Sequence, residues 1–507
     1  MNAFKKKSLC LAIAAGLGTV GMAGTASAVN INSNGLGQAL IYPYFSVRSG
    51  LNTYVSVVNT TNSAKAVKVR FLEGRNSREV LDFNLYLSAR DVWTAVLVKN
   101  STDTGGKLIT TDKSCTAPAI PAGGVDFVNY AYSGAVVAGF NPGLNGMDGV
   151  TGSDTLDRSK EGYFEIIEMG VITNPTILTG ITHVNGVPAN CGVVTQASAT
   201  AANGMTTIPA GTFPLAPPSG GLAGTGSLVN PAVGTAAGYD AIALAAFSTS
   251  NIWAPPGSLQ PNLTQASPAR SVVFKNGAAI TSTWTAGNGF PDAVTSVLMH
   301  DNLINEYVLD VGTLSATDWV VTMPTKRYYV PVQPTTGTVY TAQPPFTSKF
   351  WITGTSPWAG GACEPVTLQY WDREEQTQTP STPQITFSPL PTIPTVAGPS
   401  LCWETTVLAF GNSATTATPS LLGSANSVPM PITTPAAQNG WLRISFTAAG
   451  QTMTSNVDLV NGQHTFVGLP VVGFMIRDFI NSATPNSNYA GNFAHKTTTL
   501  IDGSSAD

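Results

Sequence analysis

The chain has 507 residues, 43% of them hydrophobic but only 10% charged, with a formal net charge of −4. Globular proteins carry about 25% charged residues; here the apolar share excludes the core-poor makeup of a disordered chain, and the scarcity of Lys and Arg excludes a nucleic-acid footprint. The surface is left to Ser, Thr, Asn, Gln and Gly, a neutral covering suited to contact with copies of itself, with other cell-surface components or with glycans.

Lys5-Lys6-Lys7 precede an apolar run from Leu9 to about Ala23, and Ala26-Ser27-Ala28 supplies the small-x-small pattern that signal peptidase cuts. Residues 1–28 therefore read as a cleaved signal peptide, with Val29 as the mature start. The run is shorter than the roughly 20 apolar residues of a membrane-spanning helix, and no later segment is long and apolar enough to span. The expected location is the cell surface or the extracellular space, with the periplasm as an alternative and no integral membrane segment after cleavage. Cys115, Cys191, Cys363 and Cys402 are then disulfide candidates in an oxidising compartment, and sequential pairing is the simplest connectivity.

From Val29 to Val187 the pattern is β. Thr53 to Val58 reads as a strand, and Asn59-Thr60-Thr61-Asn62 as the turn after it. Val67, Val69 and Phe71 share one face while Lys68 and Arg70 take the other, which predicts a strand covered on one side. After Glu73-Gly74-Arg75-Asn76 the alternation resumes through Leu81, Phe83, Leu85 and Leu87, and Val92 to Val98 carries Trp93 in a further strand. Short strands joined by polar turns, without amphipathic helices between them, predict an all-β protein of two or more immunoglobulin-like antiparallel β-sandwich units.

Asn145, Asp148, Asp154 and Asp157 lie among glycines at 143, 146, 149 and 152, making a candidate calcium loop, although its spacing matches no EF-hand. Calcium is the one cofactor the sequence suggests. Glu165 and Glu168 invite a paired-carboxylate reading, but three-residue spacing in a strand sends them to opposite faces. Either would need a distant partner, such as Glu374 in the segment Trp371-Asp372-Arg373-Glu374-Glu375.

Residues 188–238, rich in Ala, Gly, Thr and Pro, read as a low-complexity excursion or linker. A second sandwich, open to further division, is expected over 239–507, with a Pro/Thr-rich insertion near 377–400. Asn276-Gly277, Asn288-Gly289, Asn439-Gly440 and Asn461-Gly462 mark candidate hairpins, and Val294 to Ile304 carries a short helix signal. Leu87-Ser88-Ala89-Arg90-Asp91-Val92-Trp93 is echoed by Leu314-Ser315-Ala316-Thr317-Asp318-Trp319, suggesting duplication.

The block from Leu81 to Trp93, Glu161 to Gly170, and Trp319 to Tyr328 resemble segments of uncharacterised exported proteins of Gram-negative bacteria. The resemblance implies export and no activity. Within the chain there is no HExxH, GxSxG or Walker loop. Trp253, Trp284, Trp351, Trp358, Trp371, Trp403 and Trp441 suit sugar-stacking platforms or cores, with core as the default. The expected function is that of a secreted or cell-surface structural and interaction protein, working through sandwich surfaces and strand edges. A carbohydrate-binding module, or a secreted hydrolase with a carboxylate site, is the alternative.

Overall fold

The computed structural model describes residues 27–133, 155–195, 215–309, 315–330 and, with gaps, 332–502; the longest of these gaps, 379–398, leaves most of the insertion expected near 377–400 outside the described residues. Among these, antiparallel strands dominate, as the alternating pattern predicts. Strands β1 (Ala39–Ser46), β2 (Asn52–Asn59), β3 (Lys65–Glu73), β4 (Glu79–Leu87) and β5 (Val92–Lys99) follow one another through polar turns. Asn59 shows how such a turn changes sheets. Its amide nitrogen donates to the carbonyls of Ser63 and Ser88, both at 2.8 Å, while its oxygen accepts from the backbone N–H of Thr61.

Two sheets result when β6 (Gly106–Ile109), β7 (Cys115–Ala117), β8 (Glu161–Ile172), β9 (Leu222–Asn230), β10 (Thr235–Asp240) and β11 (Ile242–Ala245) are added. The eight-stranded sheet runs from Asn30–Ile31 through β11, β1, β8, β3 and β4 to β7, with Leu215–Ala216 also paired to β8. A six-stranded sheet runs β10, β9, β2, β5, β6 and ends at Val125–Asp126. Tyr42, Val67, Phe71 and Phe164 from the first sheet meet Val57, Trp93 and Leu97 from the second in one apolar core.

From Leu215 onward the stretch expected as a linker therefore joins the sheets, while residues 196–214 lie outside the described residues. β9 pairs with β2 along its whole length and with β10 on its other side. The glycines that give it a low-complexity look have a packing role, because a Cβ at Gly224 would lie 1.7 Å from the Tyr42 hydroxyl and one at Gly226 would lie 2.2 Å from the Tyr239 ring. Two tyrosines cross the sheet where only hydrogen leaves room.

β3 also departs from expectation: it is covered on both faces, and Lys68 and Arg70 are as buried as Val69. Their covering comes from farther along the chain, since Lys68 pairs with Asp82 beneath the carbonyl of Pro255. A local period of two cannot report a layer supplied nearly 200 residues later.

Next comes a hairpin of β12 (Arg270–Lys275) and β13 (Ala278–Thr283), turned by Asn276-Gly277 with φ of 49° and 78°. Helix α1 (Pro175–Ile181) is capped by Asn174, whose side chain accepts from the N–H groups of Thr176 and Ile177. Helix α2 spans Asp292–Leu298, shorter than the stretch expected, because Leu303 and Tyr307 already obey strand periodicity.

Two five-stranded sheets follow, with smaller two- and three-stranded pieces around them. One runs from Thr377–Gln378 through β16 (Thr367–Asp372), β19 (Asn439–Ser445) and β14 (Asn302–Val308) to β22 (Lys496–Thr498). The other orders β18 (Ser427–Pro431), β17 (Thr405–Gly411), β15 (Ala316–Thr322), β20 (Val472–Phe479) and β21 (Tyr489–Ala494). Their facing sides bury Leu303, Tyr307, Trp319, Leu408, Phe410, Leu442 and Ile444. Asn439-Gly440 consequently opens a strand and makes no hairpin.

The sheets do not part at residue 239. Val320, Val407, Phe474 and Ile476 turn the far face of the β15 sheet into the first core, and Tyr239 stacks on Phe474 with centroids 4.9 Å apart. The turn after β3 docks against the same sheet. Glu73 accepts from the N–H groups of Arg75, Asn76 and Arg78, and the carbonyl of Gly74 accepts from Thr405 at 2.8 Å. Trp93, at the start of β5, and Trp319, in the middle of β15, are both fully buried, and each of these strands follows one that lies in the partner sheet of its sandwich.

Candidate functional site

The two disulfides join Cys115 to Cys191 and Cys363 to Cys402. Sequential pairing is thus the connectivity found.

Glu165 and Glu168 do point to opposite faces of β8, and neither reaches water. Glu168 accepts from Lys65 Nζ at 2.8 Å and from the backbone N–H groups of Ser219 and Gly220. Glu165 accepts from Arg70 Nη1 at 2.8 Å, while Arg70 Nε donates to Glu79 at 2.7 Å. Burial pushes the Glu165 carboxyl up, opposed by Arg70 and Arg327. For Arg70 burial favours the neutral form, yet the carboxylates of Glu79 and Glu165 outweigh it and hold the guanidinium well above its usual range. These charges tie sheet layers together. A glycosidase pair needs a substrate between its carboxyl groups, and no face of β8 admits one.

Glu374 lies elsewhere, exposed at the end of β16 and 3.2 Å from its neighbour Arg373. Of the candidate calcium ligands, Asn145, Asp148 and Asp154 lie outside the described residues. Asp157 is engaged by Arg48 at 2.8 Å and Lys160 at 3.2 Å, cations that hold its carboxyl below the usual range against the opposing effect of burial. No group of three or more metal-binding side chains occurs among the described residues.

Ser88, His183 and Asp91 cluster, but their geometry is wrong for a relay. Ser88 Oγ and Asp91 Oδ2 lie 3.4 and 3.8 Å from the same ring nitrogen, Nδ1 of His183. A triad needs the base bonded to the nucleophile through one nitrogen and to the acid through the other.

What the second sandwich does expose is an aromatic and hydrogen-bonding face. Along β16, β19 and β14 the outward residues are Thr367, Gln369 and Trp371, then Trp441, Arg443 and Ser445, then Asn302, Ile304 and Glu306. Register sets Trp371 directly across from Trp441, and Trp441 across from Glu306. The indoles stack at 4.0 Å with 12° between planes, leaving Trp441 37% exposed. Arg443 holds its guanidinium carbon 5.4 Å from the Trp371 ring centre and donates to Gln369. Glu306, 3.7 Å from Arg477, extends this face to Phe493, whose ring centre is 4.6 Å from the Arg477 guanidinium carbon.

Of these residues the sequence singled out only the tryptophans. Gln369, Arg443 and Glu306 each alternate with buried neighbours, so the period of two was readable in each strand separately. Their convergence was not, because it depends on the register of strands that lie 60 or more residues apart in the chain. Trp284 and Trp403 are core residues, each 6% exposed, in keeping with the default.

The class defined is a disulfide-bonded, mostly antiparallel β protein with an exposed tryptophan face. No protein-family model, curated protein or solved structure matches the chain.

Proposed function

We propose that this chain is an exported interaction protein of the cell surface or extracellular space, and that its second sandwich binds glycans on the face carrying Trp371 and Trp441. The observation that carries this reading is the stacked indole pair on the outside of an antiparallel sheet, framed by an amide, a guanidinium and a carboxylate. Sugar rings offer polarised C–H groups to aromatic faces and hydroxyls to such polar side chains, so one surface satisfies both halves of the ligand. The disulfides and the signal-like residues 1–28 support export, as does the resemblance of three blocks to exported bacterial proteins.

Recognition by a face fits better than recruitment of a strand at an edge. The eight-stranded sheet ends in Asn30–Ile31 and the three-residue β7, and β18 carries Pro429, which has no N–H to offer. The longer edges, β10 and β21, lie beside each other, with Asn488 donating to Val233 O at 3.1 Å.

The test is a glycan panel probed with the mature protein, followed by titration of the best ligand. Saturable binding that weakens tenfold or more in Trp441→Ala is expected. Absence of binding across the panel, or equal affinity in the variant, rejects the reading.

A further inference from the structure

We infer that the tryptophan face is one end of a longer platform, and that its ligand is an oligosaccharide chain, held also at a second aromatic site formed by Phe493, Tyr489 and Arg477. This rests on the glycan reading of Trp371 and Trp441 and adds to it the length of the ligand.

Strand register makes the connection. Glu306 lies across from Trp441 in the antiparallel pair of β14 and β19, and its carboxylate comes within 3.7 Å of Arg477 on β20. Arg477 in turn lies across from Gly491 of β21, flanked by the pairs Met475–Phe493 and Phe479–Tyr489. Its guanidinium carbon is 4.6 Å from the Phe493 ring centre and 5.6 Å from that of Phe479. A Cβ at Gly491 would come within 3.1 Å of the Phe493 ring, so the glycine lets that ring lie down against the strand. Both aromatics stay open to solvent nonetheless, Phe493 at 43% and Tyr489 at 65% exposed.

These groups do little for the fold. Rings left in water forgo the gain of burial, and an ion pair whose side chains are 68% exposed at Glu306 and 25% at Arg477 contributes little to stability. They do match a sugar chain, which offers C–H faces to the rings and hydroxyls to the carboxylate and guanidinium between them. From Trp441 across one strand spacing to Glu306, and on through Arg477 to Phe493, the path is on the order of 15 Å. A single pyranose ring is too short to touch both aromatic sites, whereas a chain can, and its second contact is then made at high effective concentration.

Calorimetric titration of the mature protein with glucose, cellobiose and cellohexaose, and with the matching chito- and malto-oligosaccharides, reads this length dependence. In the series that binds, affinity is expected to rise about tenfold or more from the dimer to the hexamer. Phe493→Ala is expected to return the hexamer to the affinity of the dimer, and Phe493→Tyr, which keeps the ring, to retain the gain. Trp441→Ala is expected to weaken every length. A hexamer no tighter than the dimer, a gain that survives in Phe493→Ala, or one lost in Phe493→Tyr overturns the second site and leaves the tryptophan face standing. Failure of every series to bind at any length removes both.

Discussion

The Lys65 ammonium lies 2.8 Å from the Glu168 carboxylate, and both side chains are 0% exposed. The carboxylate also accepts from Ser219 and Gly220 N–H, so one buried charge fixes β3, β8 and the loop leading into β9. Removing one member of a buried pair leaves the other uncompensated, at a cost of about 3–5 kcal/mol. Lys65→Met is therefore expected to lower stability by about that amount, measured as a shift of the urea midpoint at unchanged slope. Glu168→Gln leaves the Lys65 charge uncompensated in the same way and turns an amide NH2 towards one of the two backbone N–H groups, so it should cost at least as much. Equal midpoints for wild type and Lys65→Met would show that the pair does not tie these elements together.

That pair also shows how far the sequence could be read. The strand pattern through Val67, Val69 and Phe71 was legible because it is local, and so was the opposite facing of Glu165 and Glu168. The burial of Lys65, Lys68 and Arg70 was not, since the groups that neutralise and cover them are Glu168 and the Ser219 hydroxyl for Lys65, Asp82 and the Pro255 carbonyl for Lys68, and Glu79 and Glu165 for Arg70. Likewise Gly224 and Gly226 resemble linker residues until Tyr42 and Tyr239 are seen crossing them. Composition described these segments correctly and still missed their pairing.

His495 gives a pH prediction. It is partly buried against Trp319; one ring nitrogen lies 3.0 Å from Val320 O, the other 3.1 Å from Asn305 Nδ2. An amide N–H can only donate, so the neutral ring with Nε2 protonated satisfies both contacts. Burial lowers its pKa to about 4. The unfolded chain takes up this proton near pH 6.5, so the stability contributed by neutral His495 is present above that pH and declines as pH falls towards 4. The advantage of wild type over His495→Gln should therefore shrink by about 1.4 kcal/mol per pH unit across that window. Urea unfolding of both proteins at pH 7, 6 and 5 measures it; a constant difference would contradict the assignment.

Asp318 carries the opposite sign. Burial pushes its carboxyl up to about 6, despite hydrogen bonds from the Ser420 hydroxyl and Leu422 N–H. Its unfolded pKa is about 3.9, so between these values the folded state holds a proton that the unfolded chain has released. Wild type should gain on Asp318→Asn as pH falls from about 6 to 4, by up to about 1.4 kcal/mol per unit. The same urea series applied to this variant gives the answer, and a loss over that range would reverse the assignment.

The Cys363–Cys402 bridge closes a sequence separation of 39 residues, and Cys115–Cys191 one of 76. On the loop-entropy account each stabilises by roughly 4 kcal/mol. Cys115 and Cys402 are each only 1% exposed while their partners Cys191 and Cys363 are partly buried, so before local opening a reductant meets at most one, partly covered, sulfur of each bridge. Native protein is expected to resist dithiothreitol and to react once urea exposes the bridges, as followed by thiol labelling. The double variants Cys115→Ser/Cys191→Ser and Cys363→Ser/Cys402→Ser should each unfold at clearly lower urea. Rapid labelling of the native protein would show that the bridges are not protected by its core.

At the tryptophan face the two indoles should differ. Trp441 is the more exposed, whereas Trp371 lies between it and Arg443, whose guanidinium rests against the Trp371 ring. A ligand ring therefore meets Trp441 first, and Trp371 supports it. Loss of a central aromatic anchor in an interface costs about 2 kcal/mol or more, equivalent to roughly 30-fold in affinity. Trp441→Ala should weaken glycan binding by that order, and Trp371→Ala should weaken it less by letting Trp441 tilt. Arg443→Lys keeps the charge but loses the planar contact with Trp371 and the forked donation to Gln369, so it should resemble Trp371→Ala. Calorimetric titration of the three variants gives this order directly. Equal losses at all three positions would instead mean that the stack acts as one rigid block, with the ligand seated across both indoles.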